Sequence, residues 1–172
     1  MGVSGSGKST IAAALAQRLG AVFADADDLH SDGARAKMAA GMPLTDDDRA
    51  PWLKRVAEHI DDPDGGADDA PVDASESGTP RVVMACSALR RAYRDALRRD
   101  AATPLFFVHL HGDPELLAAR MRARPGHFMP PALLESQLAT LEPLSPDEPG
   151  VVVDIAEDPD DIVAEIVAAL PG

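Results

Sequence analysis

The sequence predicts an α/β domain: a parallel sheet flanked by helices in three layers, built to hold a nucleotide. Three observations predict it. G-V-S-G-S-G-K-S from Gly2 to Ser9 is a complete Walker A phosphate-binding loop. Short apolar runs alternate with helical patterns, the order that feeds a parallel sheet covered on both faces. The 172 residues, 45% of them hydrophobic, fit one such domain over residues 1–172 with a sizeable core. Aromatics are only 3%, so that core is expected to be mostly Ala, Val, Leu and Ile.

The loop comes first. Its glycines let successive N–H groups turn inward onto phosphate oxygens, and the helix from Ile11 to Leu19 aims its N-terminal amides at the same place. The expected ATP-binding residues are therefore Gly2, Val3, Ser4, Gly5, Ser6, Gly7, Lys8, Ser9 and Thr10. Lys8 supplies a point charge for the β- and γ-phosphates, and the Ser9 hydroxyl is the expected Mg²⁺ ligand. Only Met1 stands where a buried strand ordinarily leads into such a loop. The reading is that the first strand is missing from this chain, that Met1 is its last residue, and that the true start lies upstream.

The remaining elements follow in order. Ala21 to Ala24 is a short apolar strand. Arg35 to Ala40 belongs to a helix that Gly41-Met42-Pro43 breaks. Thr45 with Asp48 three residues on makes a capping box for a helix running through Trp52 to about Ile60. Arg81 to Cys86 is a buried strand, followed by a basic helix through Arg99; Leu105 to Leu110 is the next strand. Asp113-Pro114-Glu115 starts a helix with an N-cap, a proline at the first helical position and an acid in the first turn. Asp158-Pro159-Asp160 repeats that device after the strand Val151 to Ile155.

Charge and composition narrow the function. The net charge of −13 argues against a nucleic-acid partner, because a polyanion is repelled. The chain has no apolar run of membrane-spanning length and no secretory signal, and its lone Cys86 suits a reducing compartment; a cytoplasmic enzyme is expected. More than half of the net charge lies in the segment 61–80, with seven acids and no Lys, Arg or His. Rich in Pro, Gly, Asp and Ser, that segment reads as a disordered surface insertion, with an acidic interaction segment as the alternative.

Phosphoryl transfer also needs a carboxylate near the acceptor. D-A-D-D-L-H from Asp25 to His30 follows the second strand position, where ligands bind in open α/β sheets. Asp27 is the candidate general base, with Asp25 as its rival; simple capping of the next helix is the plainer reading. The strand ending at Cys86-Ser87 lacks a Walker B acid, which excludes motor-type ATPases and helicases. Segment 120–131 combines Gly and Pro punctuation with arginines. It reads either as a lid over the phosphates or as a solvated basic helix end.

Four blocks carry a family resemblance: G-V-S-G-S-G-K-S-T at Gly2, K-M-x-x-G-x-P-L-x-D-x-D-R-x-P-W-L from Lys37 to Leu53, C-S-A-L-R-R-x-Y-R-D from Cys86 to Asp95, and R-x-x-x-R-x-G-H-F from Arg120 to Phe128. Together they resemble the gluconate kinases, small P-loop kinases related to shikimate and adenylate kinases. The resemblance implies ATP- and Mg²⁺-dependent phosphorylation of the 6-hydroxyl of D-gluconate. It implies Lys8, Asp27, Arg120 and Arg124 at the reacting groups, the two arginines acting from the lid. Asp27, His30, Arg49, Arg90 and His127 are implied at the sugar acid, with Arg49 and Arg90 suited to its carboxylate. Trp52 and Pro51 are expected to be packing anchors, and the assembly implied is a homodimer.

Three positions depart from the family pattern: Ala26 where a Gly is usual, Ser31 where a Pro is usual, and Ala34 where an Asn is usual. They leave open a kinase for another small hydroxy acid or polyol, and a truncated non-catalytic remnant.

Overall fold

The computed structural model describes residues 1–63, 82–123 and 131–171. Most of the acidic segment, Arg124 and His127 lie outside the described residues. The elements run α1 (Lys8–Leu19), β1 (Val22–Asp25), a 3-10 turn (Ala26–Leu29), α2 (Asp32–Ala39), α3 (Asp46–Asp61), β2 (Val82–Ala85), α4 (Arg91–Asp100), β3 (Phe107–His111), α5 (Pro114–Ala123), α6 (Pro131–Thr140), β4 (Gly150–Asp154) and α7 (Pro159–Ala169).

The strands pair in parallel as β1 with β2 and β3 with β4. The first two residues of the chain lie between these pairs. The Leu110 N–H donates to the Met1 carbonyl at 2.9 Å, the Met1 amino group donates to the Val108 carbonyl, and the Gly2 N–H donates to the Ser87 carbonyl at 3.3 Å. The spatial order β1, β2, Met1-Gly2, β3, β4 therefore delivers the phosphate loop to the middle of the structure, at the carboxyl ends of the strands.

Two apolar clusters form the core. Ile11 and Leu15 of α1, Ile162, Val163 and Ile166 of α7, Leu117 of α5 and Leu134 of α6 pack with Leu110 and Val153. Trp52, Leu53 and Val56 of α3 pack with Tyr93 and Leu97 of α4 and with Phe107. Phe107 and Leu110 are three apart on one strand, so they point to opposite sides of it. Helices thus cover both faces; the first cluster is aliphatic, and the second takes in the buried aromatics Trp52, Tyr93 and Phe107.

The helix starts explain themselves. At α3 the Thr45 hydroxyl accepts from the Asp48 N–H at 3.2 Å while the Asp48 carboxylate accepts from the Thr45 N–H at 2.9 Å, the complete capping box. Asp113 accepts from the Glu115 N–H before α5, and Asp158 accepts from the Asp160 N–H before α7. Asp61 closes α3 and its carboxylate accepts from the Ala102 and Thr103 N–H groups at 2.8 and 2.9 Å. Its place at the edge of the acidic segment is thus an ordered one.

Candidate active site

The phosphate loop leaves Met1 and turns directly into α1. Gly5 sits at φ +83°, and a Cβ there would lie 2.9 Å from the Leu117 carbonyl oxygen, so only glycine fits between the loop and α5. The Ser6 N–H closes the turn onto the Val3 carbonyl at 3.3 Å. The first-turn amides of α1 have no intrahelical acceptor, and with the helix dipole they make an anion site. The Lys8 ammonium lies 3.0 Å from the Val3 carbonyl, on the rim of the loop.

The two acids that the sequence left as rivals have different surroundings. Asp25, the last residue of β1, accepts from the Ser9 hydroxyl at 2.7 Å through Oδ2 and from the Asp27 N–H at 3.1 Å through Oδ1. Asp27 therefore projects separately, beside the His30 ring, with Nε2 to Oδ1 at 3.9 Å. Surrounding protein bulk, and then the Asp25 carboxylate, hold the Asp27 carboxyl above the usual range, while His30 and Lys8 oppose the rise. Burial lowers the His30 pKa, leaving its imidazole neutral at pH 7.

His30 is fixed by Trp52. The rings stack at 4.5 Å between centroids and 9° between planes, and the Trp52 indole N–H donates to the Ala26 carbonyl at 2.7 Å. Trp52 is a buried anchor as expected, whereas Pro51 is exposed: it lies one residue round α3, on the outer face. The departures at Ala26 and Ala34 fall at buried positions. Ser31, where the family pattern has a Pro, serves as the N-cap of α2 and accepts from the Ala34 N–H at 3.2 Å.

Arg49 and Arg90 come together around Tyr93, one guanidinium 5.5 Å and the other 5.7 Å from the ring centroid. The Tyr93 hydroxyl donates to Asp46 at 2.6 Å, and Arg90 reaches the same carboxylate at 3.2 Å. The Arg49 guanidinium also donates to the Leu44 carbonyl. Sequence reasoning singled out neither Tyr93 nor Asp46, although both lie in blocks it quoted. Tyr93 is one helical turn from Arg90, which was the available signal.

Beside the loop, a cavity of about 260 Å³ lies between Gly7, Thr10 and Ile11 on one side and Ile155, Glu157 and Pro159 on the other. Arg120 lines it and donates to the Ile155 carbonyl at 2.8 Å. The stretch after β4 was missed as a site element because nothing in its composition marks it. Of the predicted residues, the structure brings the loop, Asp25, Asp27 and Arg120 to one end of the strands. Arg49 lies on α3 three residues before Trp52, the ring that stacks on His30, so one of the paired arginines sits on the element that borders this group. Cys86 is buried and its thiol is pushed up to about 11, which suits a packing role.

Comparison with known proteins agrees with this geometry. The family model described as an AAA domain matches residues 1–144. The gluconokinase of Gluconobacter oxydans (strain 621H) is 44% identical, the match covering 97% of this chain and 86% of that protein. A probable gluconokinase of Xenopus tropicalis is 41% identical over 96% of this chain and 88% of its own length. The crystal structure of a gluconokinase from Sinorhizobium meliloti 1021 superposes with a TM-score of 0.81 at 44% identity, covering 99% of this chain and 88% of that one. A phosphate loop at the ends of parallel strands, an acid beside its serine and this similarity over nearly the full length lead to one assignment. The chain is a kinase and belongs to the gluconokinase family of P-loop enzymes.

Proposed function

We propose that this chain transfers the γ-phosphoryl group of ATP to the 6-hydroxyl of D-gluconate, giving 6-phospho-D-gluconate and ADP in the cytoplasm. The observation that carries the proposal is the separation of Asp25, bonded to Ser9, from Asp27, which stays available to an acceptor.

Asp27 accepts the proton of the 6-hydroxyl as its oxygen attacks the γ-phosphorus, and the bond to the β–γ bridging oxygen breaks to release ADP. A base whose pKa is raised toward the working pH is suited to that proton transfer. The loop amides and Lys8 hold the phosphates, and Arg120 and Arg124 offset the charge that spreads over the transferring group. Neutral His30, held flat against Trp52, contacts a sugar hydroxyl, while Arg49 and Arg90 take the carboxylate. His127 belongs with these substrate contacts.

The Ser9 hydroxyl and the Asp25 carboxylate, 2.7 Å apart, are hard oxygen donors of the kind Mg²⁺ prefers, so they fit the ion that accompanies ATP. When bound, Mg²⁺ supplies charge neutralisation at the β- and γ-phosphates. The test is ADP release over a panel of sugar acids and polyols. Turnover confined to D-gluconate supports the proposal; a faster reaction with another hydroxy acid favours the reading that Ala26 and Ala34 motivate.

A further inference from the structure

The loop is held from outside by a side chain that the mechanism above does not use. The Ser4 N–H donates to the Gln137 carboxamide oxygen at 2.6 Å, a contact between residues 133 positions apart. Among the described residues, Gln137 is the side chain that holds a backbone amide in the first half of the loop. Gln137 sits on α6, whose Leu134 and Leu138, with Leu141 just past the helix end, pack in the cluster that contains Val3, Leu110 and Leu117. This gives the carboxamide a fixed base.

The chain leaving the C-terminal end of α6, five residues beyond Gln137, reaches the acceptor half of the site. The Glu142 N–H donates to the Leu89 carbonyl at 2.8 Å, and the Glu142 carboxylate accepts from the Arg91 N–H at 2.6 Å. Arg90 lies between those two residues. The last turn of α6 and the residues directly after it therefore touch both the loop that binds phosphate and the turn that carries Arg90. In-line transfer depends on the spacing of those two parts, and small misplacements of reacting atoms cost large factors in rate.

We propose that Gln137 is a positioning residue for phosphoryl transfer: through the Ser4 amide it fixes the phosphate loop on α6, and so sets the loop against the Arg90 turn. The effect passes through Ser4, and Gln137 touches neither ATP nor the sugar acid. Its kinetic readout rests on the proposed gluconate reaction, whereas its hydrogen-exchange readout does not.

The test compares the unchanged chain with Gln137→Met, which keeps the length and loses the acceptor, and Gln137→Glu, which keeps an acceptor. Amide hydrogen exchange at Ser4 should be about 3–10-fold faster in Q137M and near the original rate in Q137E, with the thermal midpoint of both variants close to the original. In steady-state assays Q137M should lower kcat and raise the KM for ATP, so that kcat/KM for ATP falls about 5–10-fold or more, while the KM for gluconate stays within about twofold. Unchanged exchange at Ser4, equal shifts in both KM values, or kinetic constants that move less than twofold overturn the proposal. If the unchanged chain does not turn over gluconate, the functional reading fails on its own account. ADP binding then decides this one: a Kd about 3–10-fold weaker in Q137M upholds it, and an unaltered Kd overturns it.

Discussion

Arg94 and Glu148 form a bidentate ion pair with no solvent contact on either side chain, Nε to Oε1 at 2.5 Å and Nη2 to Oε2 at 2.9 Å. The same guanidinium donates to the carbonyls of Ala88, Leu89, Glu142 and Pro143 at 3.1 to 3.4 Å. It thereby locks the turn before α4, where Ala88 sits at φ +40°, to the segment that leads into β4. Arg90 extends from that turn, so a structural pair supports the residue proposed to meet the substrate carboxylate.

Replacing one partner strands the other charge in the core. Arg94→Met or Glu148→Gln should each lower unfolding stability by about 3–5 kcal/mol in urea titrations, whereas Arg94→Met with Glu148→Leu should recover much of the loss. Single variants as stable as the unchanged chain would contradict this account of the turn.

The same pair gives a pH dependence. Hydrogen bonds from Arg94 hold the Glu148 carboxyl below its ordinary value of 4.5. A lowered carboxyl pKa stabilises the fold above the unfolded value and loses that contribution as pH falls through the folded value. The stability difference between the unchanged chain and Glu148→Gln should therefore be constant near neutrality and shrink below about pH 4.5, read as urea midpoints across pH.

Asp27→Asn should lower kcat about 10²–10⁴-fold with a modest change in the KM for ATP, and the acid limb of the kcat–pH profile should disappear with it. In the unchanged chain that limb should lie above the usual carboxylate range, because the Asp27 pKa is raised. Asp25→Asn should instead raise the Mg²⁺ concentration needed for half-maximal rate, since its carboxylate partners Ser9. Equal responses of both variants to Mg²⁺ would contradict the division of roles.

Gly5→Ala places a methyl group 2.9 Å from the Leu117 carbonyl in a backbone conformation that alanine rarely adopts. Nucleotide affinity, measured by ADP titration, should fall by at least about tenfold. Gly7→Ala shares the positive φ but meets no neighbour within 4 Å, so it should bind more tightly than Gly5→Ala.

Much of the fold was legible because its signals are local. The capping box at Thr45, the Asp-Pro starts at Asp113 and Asp158 and the Walker A glycines each act within a few residues, and each sits where expected. Helix α6 was not legible: it begins at Pro131, and the arginine-rich sequence before it drew attention to the preceding segment instead. Gln137 was missed with it, since a contact to an amide 133 residues away leaves no trace in local pattern. The sequence left Asp25 and Asp27 as rivals because both sit at the end of the same strand; the hydrogen bond from Ser9 to Asp25 is a through-space contact that local pattern does not carry, and it is what the proposed roles rest on. Tyr93 was hidden for a related reason. Its partners Arg49 and Asp46 lie on α3, more than 40 residues earlier.

The most direct test of the central claim is a coupled ADP-release assay with ATP, Mg²⁺ and D-gluconate, its product analysed by ³¹P NMR. The account predicts ADP release that depends on gluconate, one phosphomonoester at the 6-position, and loss of both with Lys8→Met. No gluconate-dependent release from the folded chain, or a product phosphorylated elsewhere, would contradict it.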